Sequence, residues 1–255
     1  MKTPENIITF RASILTAMLN RTCSDKVRRC ERYFPHGIVC LGITAAEIQT
    51  IIAEIHASKP ILEPKELLIL SEYLLANNEY HEEVLIAYGL IAKCVKRHFD
   101  ERLLERFHYW MEHYASNWAQ VDDLCIKTAY QFLLSRPHLI ETTLDWSLSA
   151  SPWCRRASCV IWVKFIQRKM GKDLYRLDPE LIFCLAERLV LDKDEFVLKG
   201  LGWLLKVTAV HHEVRVLGFL KEHIDVLPRS TIRYALEKVS TDSRAGIMRF
   251  KTKAP

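Results

Sequence analysis

A tryptophan and an aspartate stand four residues apart in Asn117-Trp118-Ala119-Gln120-Val121-Asp122-Asp123. On a helix that spacing puts an indole and a carboxylate on one face. Both groups stabilise positive charge, the carboxylate through its own charge and the indole through its ring face. Asn117, with Gln120 three residues on, is a helix start signal of the capping-box kind. Asp122 then lies beyond the first turn, where the helix dipole no longer favours an anion. It also shares an i, i+4, i+7 stripe with Ile126 and Ala129, an odd position for a solvated acid. Two readings stand: a partly exposed acid near a helix start, or an acid held on a working face.

Two further sites draw notice. Trp153-Cys154-Arg155-Arg156 opens the helix announced by Ser151-Pro152. Arginines near a helix N-terminus oppose the macrodipole, so either an anionic partner holds Arg155 and Arg156 or they snorkel to solvent over Trp153. Farther on, Trp203 stands off the apolar stripe of Val197, Leu198, Leu201, Leu204, Leu205 and Thr208. It shares the opposite stripe with Phe196, Lys199 and Lys206, and Gly202 beside it allows close approach. Trp110, Trp146 and Trp162 have apolar neighbours at helical spacing and are expected to be packing residues.

These residues need a scaffold, and the chain has the length for a substantial core: 255 residues, 49% hydrophobic, mean hydropathy near zero. Gly (8) and Pro (9) are few, as in a mostly helical chain. No apolar run of about 18 residues suggests a membrane span. Met1-Lys2-Thr3-Pro4-Glu5 begins no leader-like charged-then-apolar segment, so a cytoplasmic protein is expected. The eight cysteines form no CxxC pair and are expected to be reduced and mostly buried. His108 and His113 point to different helix faces, and neither a metal nor an organic cofactor is expected.

Helices are predicted over 4–19, 23–34 and 44–58, then near 64–77, 79–97, 100–116, 119–135, 137–149, 152–170, 178–191, 194–209, 212–224 and 228–238. No strand-like alternation is apparent. Short connections make successive helices antiparallel, the rhythm of an all-α HEAT-like solenoid. The expected organisation is one domain: an N-terminal helical cap over 1–43, repeats over 44–240, and a flexible tail over 241–255. Alternate helices of such a stack line one surface. The set containing 119–135, 152–170 and 194–209 carries 14 Lys/Arg against 8 Asp/Glu, and the intervening set 5 against 11. The small net charge of +5 therefore conceals polarity, and a concave basic face would suit a duplex backbone.

Trp118-x-x-x-Asp122, Trp153-x-x-Arg156 and Gly202-Trp203, in that order, resemble the HEAT-like-repeat alkylpurine DNA glycosylases, the DNA alkylation repair enzymes. The likeness extends to Pro137-His138-Leu139-Ile140, the run from Phe196 to Trp203, the Arg229–Arg233 helix and, loosely, Phe34-Pro35 and Gly42-Ile43. The resemblance implies that Asp122 is the catalytic carboxylate, that Trp118 and Trp203 wall a cleft around the damaged nucleotide, and that Arg156 helps hold the DNA. It also points to an N-terminal aromatic, for which Tyr33 is the candidate. Arg155, Lys199, Lys206, Arg229 and Arg233 are candidates for the phosphate backbone. The expectation is a monomeric, monofunctional glycosylase acting on 3-methyladenine and 7-methylguanine in double-stranded DNA, with no membrane partner. The alternative is a non-catalytic HEAT-repeat scaffold that binds DNA or protein through the same basic face.

Overall fold

The helical periodicity of the chain is realised in a computed structural model that describes residues 5–250. The opening Met1–Pro4 stretch and the last residues of the expected tail, 251–255, lie outside the described residues. The fold is all-α and HEAT-like, a succession of short helices joined by brief turns. Among the described residues no helix is long and apolar enough to cross a membrane. The chain divides into two compact units between Phe132 and Leu133.

The first unit contains α1 (Glu5–Leu19), α2 (Ser24–Glu31), α3 (Ala45–Ala57), α4 (Pro64–Ala76), α5 (His81–Leu90), α6 (Leu103–His113) and α7 (Trp118–Asp123). α7 runs through a π turn, Leu124–Thr128, into α8 (Ala129–Leu134), whose last two residues belong to the second unit. The core is built by α5, which packs against α3, α4, α7 and the π turn. Val84, Ile86, Ala87, Tyr88 and Leu90 of α5 are wholly buried.

Two adjacent acids in the first turn of α5 organise the chain around it. Glu83 Oε2 accepts from Glu79 N and Tyr80 N (2.7 and 3.2 Å), closing the helix start. Glu82 reaches a distant loop, accepting from Leu41 N (3.0 Å), Gly42 N (2.9 Å) and Ile43 N (3.1 Å). Gly42 has φ +73°, and a Cβ there would come within 2.5 Å of the Cys23 carbonyl oxygen. Only glycine meets both conditions.

The second unit begins with 3₁₀ turns at Pro137–Leu139 and Glu141–Leu148 and continues into α9 (Pro152–Val160). It then forms β1 (Gln167–Met170) and β2 (Asp173–Arg176), followed by α10 (Pro179–Leu189), α11 (Glu195–Glu222), α12 (Arg229–Ala235), a 3₁₀ turn and α13 (Thr241–Arg249). α11 packs against α9, α10 and α12. His212 leaves helical geometry (φ −135°, ψ 47°), so α11 is two helices meeting at a kink, where the sequence separates 194–209 from 212–224.

Several elements depart from the sequence reading. The 137–149 segment is 3₁₀ rather than α-helical. Hydroxyls of Thr142, Thr143 and Ser147 each donate to the carbonyl three residues back (2.7–2.8 Å), tightening the turns. The helix expected to reach Met170 stops at Val160, and an antiparallel hairpin follows, with Met170 opposite Asp173. Gly171 supplies the positive φ (+64°) that a two-residue hairpin turn requires. Tyr175 packs edge-on to Phe165 (6.2 Å), and Leu177 N donates to Ile166 O (3.3 Å), anchoring the hairpin's base. Residues 241–249, placed in the expected tail, form α13; Ser240 caps it and Ile247 is buried. All eight cysteines are free, but only Cys125, Cys154 and Cys159 are buried.

Candidate active site

Asn117 is extended (φ −156°, ψ 163°), and its Oδ1 accepts from Ala119 N and Gln120 N, both at 3.1 Å. Gln120 does not return the bond to Asn117; its Oε1 accepts from Ser116 N at 2.8 Å. The cap fixes the first turn of α7 and so aims Trp118. The indole Nε1 donates to Tyr33 O (3.2 Å), and one ring face stacks on Phe34 (centroids 5.3 Å, 15° apart). Phe34 is buried and also meets the His81 ring at 5.8 Å. Trp118 is thus held at its edge and one face, yet is only half-buried.

Asp122 follows one turn later and is buried, at 9% exposure. The stripe that groups it with Ile126 and Ala129 assumes α pitch throughout. The π turn begins two residues after Asp122 and shifts that register by widening the helix. The sequence reading therefore missed the irregularity beside its own candidate residue. Asp123 lies on the adjoining face, paired with Lys127 across the π turn. Burial pushes the Asp123 carboxyl up, Lys127 pulls it down, and neighbouring Asp122 raises it again.

His81 was also missed, since a lone histidine at a helix start carries little sequence signal. Its Nδ1 accepts from Asn117 Nδ2 (3.3 Å), which suits a neutral ring. Burial lowers its pKa from 6.5 to about 4. Between those values the unfolded chain binds a proton that the folded chain refuses. Stability is therefore full above pH 6.5 and falls as pH drops toward 4, by at most about 1.4 kcal/mol per pH unit. Urea unfolding at pH 5 and pH 7 should show this loss in the wild type, and His81→Gln should shrink it.

In the second unit Arg156 is 5% exposed, and its Nη1 donates to Phe196 O at 2.6 Å. Gly200 makes room for it: a Cβ there would sit 3.3 Å from Arg156 Cγ. Arg155 forms a two-pronged pair with Asp192 (2.6 and 3.2 Å) and donates to the Ser149 and Ala150 carbonyls. Neither an external anion nor snorkelling over Trp153 is needed to explain its place at a helix start. The acceptor is the chain's own Asp192, 37 residues away. Trp203 is half-buried, as its position off the apolar stripe predicts, while Trp110, Trp146 and Trp162 are buried. Gly202 admits α12: a Cβ there would lie 3.2 Å from Thr231 O and from Tyr234 Cδ1.

The candidate backbone contacts differ in how far they are committed. Lys199 pairs with Glu195 (2.8 Å), and Lys206 pairs with Glu237 (3.0 Å) and lies over the Tyr234 ring. Arg229 donates to Met248 O (2.9 Å). Arg233 is exposed and makes no ion pair with a described residue.

The HEAT-like helical fold thus carries a capped, aromatic-braced helix with a half-buried Trp118 and a buried Asp122. A sequence profile of the DNA alkylation repair enzymes matches residues 14–239, and the chain belongs to that family. Among solved structures, a protein described as a predicted DNA alkylation repair enzyme from Enterococcus faecalis aligns with TM-score 0.68 at 19% identity, over 87% of this chain and 98% of that one. The alkylpurine DNA glycosylase AlkC of Pseudomonas fluorescens, bound to DNA containing an abasic site analog, aligns with TM-score 0.55 at 17% identity. That match covers 96% of this chain and 66% of AlkC. Likenesses at this identity speak to the fold. No curated protein matches the chain significantly in sequence.

Proposed function

We propose that this DNA alkylation repair protein is a monofunctional glycosylase that hydrolyses the N-glycosidic bond of cationic alkylated purines in double-stranded DNA. 3-Methyladenine and 7-methylguanine are the substrates. The observation that carries the reading is a buried carboxylate, Asp122, one turn from an indole that is braced yet half exposed. Alkylation at N3 or N7 makes the purine a cation, so it departs neutral with the bonding electrons and needs no general acid. Positive charge passes to the sugar, and water adds at C1′ as it gives up a proton.

One ionised carboxylate suffices for that reaction. It stabilises the oxocarbenium-like sugar and orients the water, a reduced form of the paired-carboxylate arrangement of glycosidases. At about 4 Å with an effective dielectric near 20, the charge pair is worth about 4 kcal/mol as a gross contribution. An indole face adds ~0.5–2 kcal/mol toward a cation. Asp122 is assigned the catalytic role. Trp118 and, from the second unit, Trp203 are assigned to the damaged nucleotide. Arg156, 5% exposed and donating to the Phe196 carbonyl, is assigned to fixing α9 on α11 instead of contacting the DNA directly. No cofactor enters this reaction. The product test is alkylated duplex incubated with the protein: free methylpurine and intact, alkali-sensitive strands support the reading, and strand cleavage without alkali contradicts the monofunctional assignment.

Backbone contacts are assigned to Lys199 and Arg233 before Arg155, whose donors already serve Asp192. Lys199→Ala and Arg233→Ala should each weaken binding to DNA of any sequence. Each should also lower the slope of log K against log salt by roughly one, the signature of one lost phosphate contact. Fluorescence anisotropy across a salt series measures this, and unchanged slopes in both variants would move the DNA track elsewhere.

A further inference from the structure

A groove of about 750 Å³ lies in the first unit and plays no part in the chemistry assigned to Asp122. That size is within the range of pockets that enclose small organic ligands. Its walls come from α2, the Tyr33 loop, α3, α5 and the π turn. The lining is mostly apolar, with Ile48, Ile52 and Leu85 among its residues. Gly89 lets Ile52 of α3 pack closely on α5 at one wall, since a Cβ there would fall 2.3 Å from Ile52 Cδ1.

Of the polar groups that also line it, Lys26, His81, Glu82 and Lys127 are engaged by partners within the chain. Arg29 and Lys93 are exposed and make no ion pair with a described residue. Asp123 belongs to the wall with its side chain 13% exposed; Lys127 donates to Oδ1, and Oδ2 accepts from no described residue. Tyr33, whose carbonyl anchors Trp118, also lines the groove and is 70% exposed. An apolar slot with one spare carboxylate acceptor, an exposed aromatic ring and two unpaired cations combines two recognition chemistries. The slot suits a planar ring with an N–H edge, and the cations suit an attached anion.

We propose that this groove takes an unpaired nucleobase together with its phosphate, from the DNA on which the Trp118–Asp122 helix acts. The inference rests on the DNA-directed function proposed above and adds a subsite to it. An exocyclic amino group of the base donates to Asp123, Tyr33 offers a stacking face, and Arg29 and Lys93 meet the phosphate. An apolar molecule without an anion would leave both cations idle, and an acidic peptide would leave the apolar lining and Asp123 unused. The placement also explains why the side of α7 next to Asp122 carries a second acid with a cation beside it.

The test compares two duplexes that differ at one position: 2-aminopurine opposite an abasic site, where it is unpaired, and 2-aminopurine opposite thymine. Wild type should bind the first at least about fivefold more tightly, the lower end of what one base–aromatic stack contributes. Leu85→Trp, which fills the groove, should abolish the preference, with folding checked by thermal melting. Lys93→Glu, at an exposed position that no core contact depends on, should reduce it as well. Equal affinity of wild type for both duplexes, or a preference that survives in the folded variants, overturns the proposal. Methylpurine release measured on the same preparations separates the two ideas. Release without the preference rejects the groove alone, and the preference without release rejects the glycosylase reading alone.

Discussion

Asp122→Asn should excise 7-methylguanine from duplex DNA about 10²–10³ slower than wild type, the usual cost of losing one electrostatic contact to a transition state. The substitution preserves shape and hydrogen-bonding capacity and removes only the charge. The variant should therefore melt near the wild-type temperature. It should bind DNA at least as tightly, because a carboxylate close to phosphates is repulsive in the ground state. A purely structural Asp122 gives the opposite pattern: a lowered melting temperature with activity per folded molecule retained. Single-turnover excision, calorimetry and anisotropy on one preparation distinguish the two.

The second large effect concerns stability and falls on Glu82. This side chain is 3% exposed and accepts from the backbone N–H groups of Leu41, Gly42 and Ile43. Glu82→Ala leaves three buried donors unsatisfied at once, each costing about 1–3 kcal/mol. Partial relief by entering water brings the expected loss to roughly 3–5 kcal/mol, a large share of a typical domain's stability. Glu82→Gln keeps one acceptor oxygen and should lose less. The 41–43 loop follows the stretch whose Tyr33 and Phe34 brace Trp118, so base release per folded molecule should also fall. Urea unfolding followed by tryptophan fluorescence reads the first effect, and base release normalised to folded protein reads the second.

The helices and the Asn117 cap were legible because they rest on local pattern: apolar spacing, polar start signals and prolines at first turns. The half-exposure of Trp203 was legible for the same reason, as a tryptophan off its helix's apolar stripe. What the pattern concealed was either non-local or aperiodic. Asp192 and Arg155 are 37 residues apart, and Glu82 and Gly42 are 40 apart, so neither partnership leaves a spacing signal. Glu82 reads locally as an ordinary acid in a first turn. The π turn after Asp123 inserts into the helix without changing its composition. Gln167–Met170 consists of good helix formers, and Gly171 with the Tyr175–Phe165 contact decides for a hairpin against that propensity.

The central claim is that Asp122 carries a glycosylase reaction on cationic purines. Its most direct measurement is release of 7-methylguanine from methylated duplex DNA by wild type and by Asp122→Asn, against the same DNA without protein. The account predicts release by wild type well above the spontaneous rate, and release by the variant close to that rate. Wild-type release no faster than the protein-free control, with both proteins folded and bound to the DNA, would contradict it and leave a DNA-binding HEAT-like scaffold.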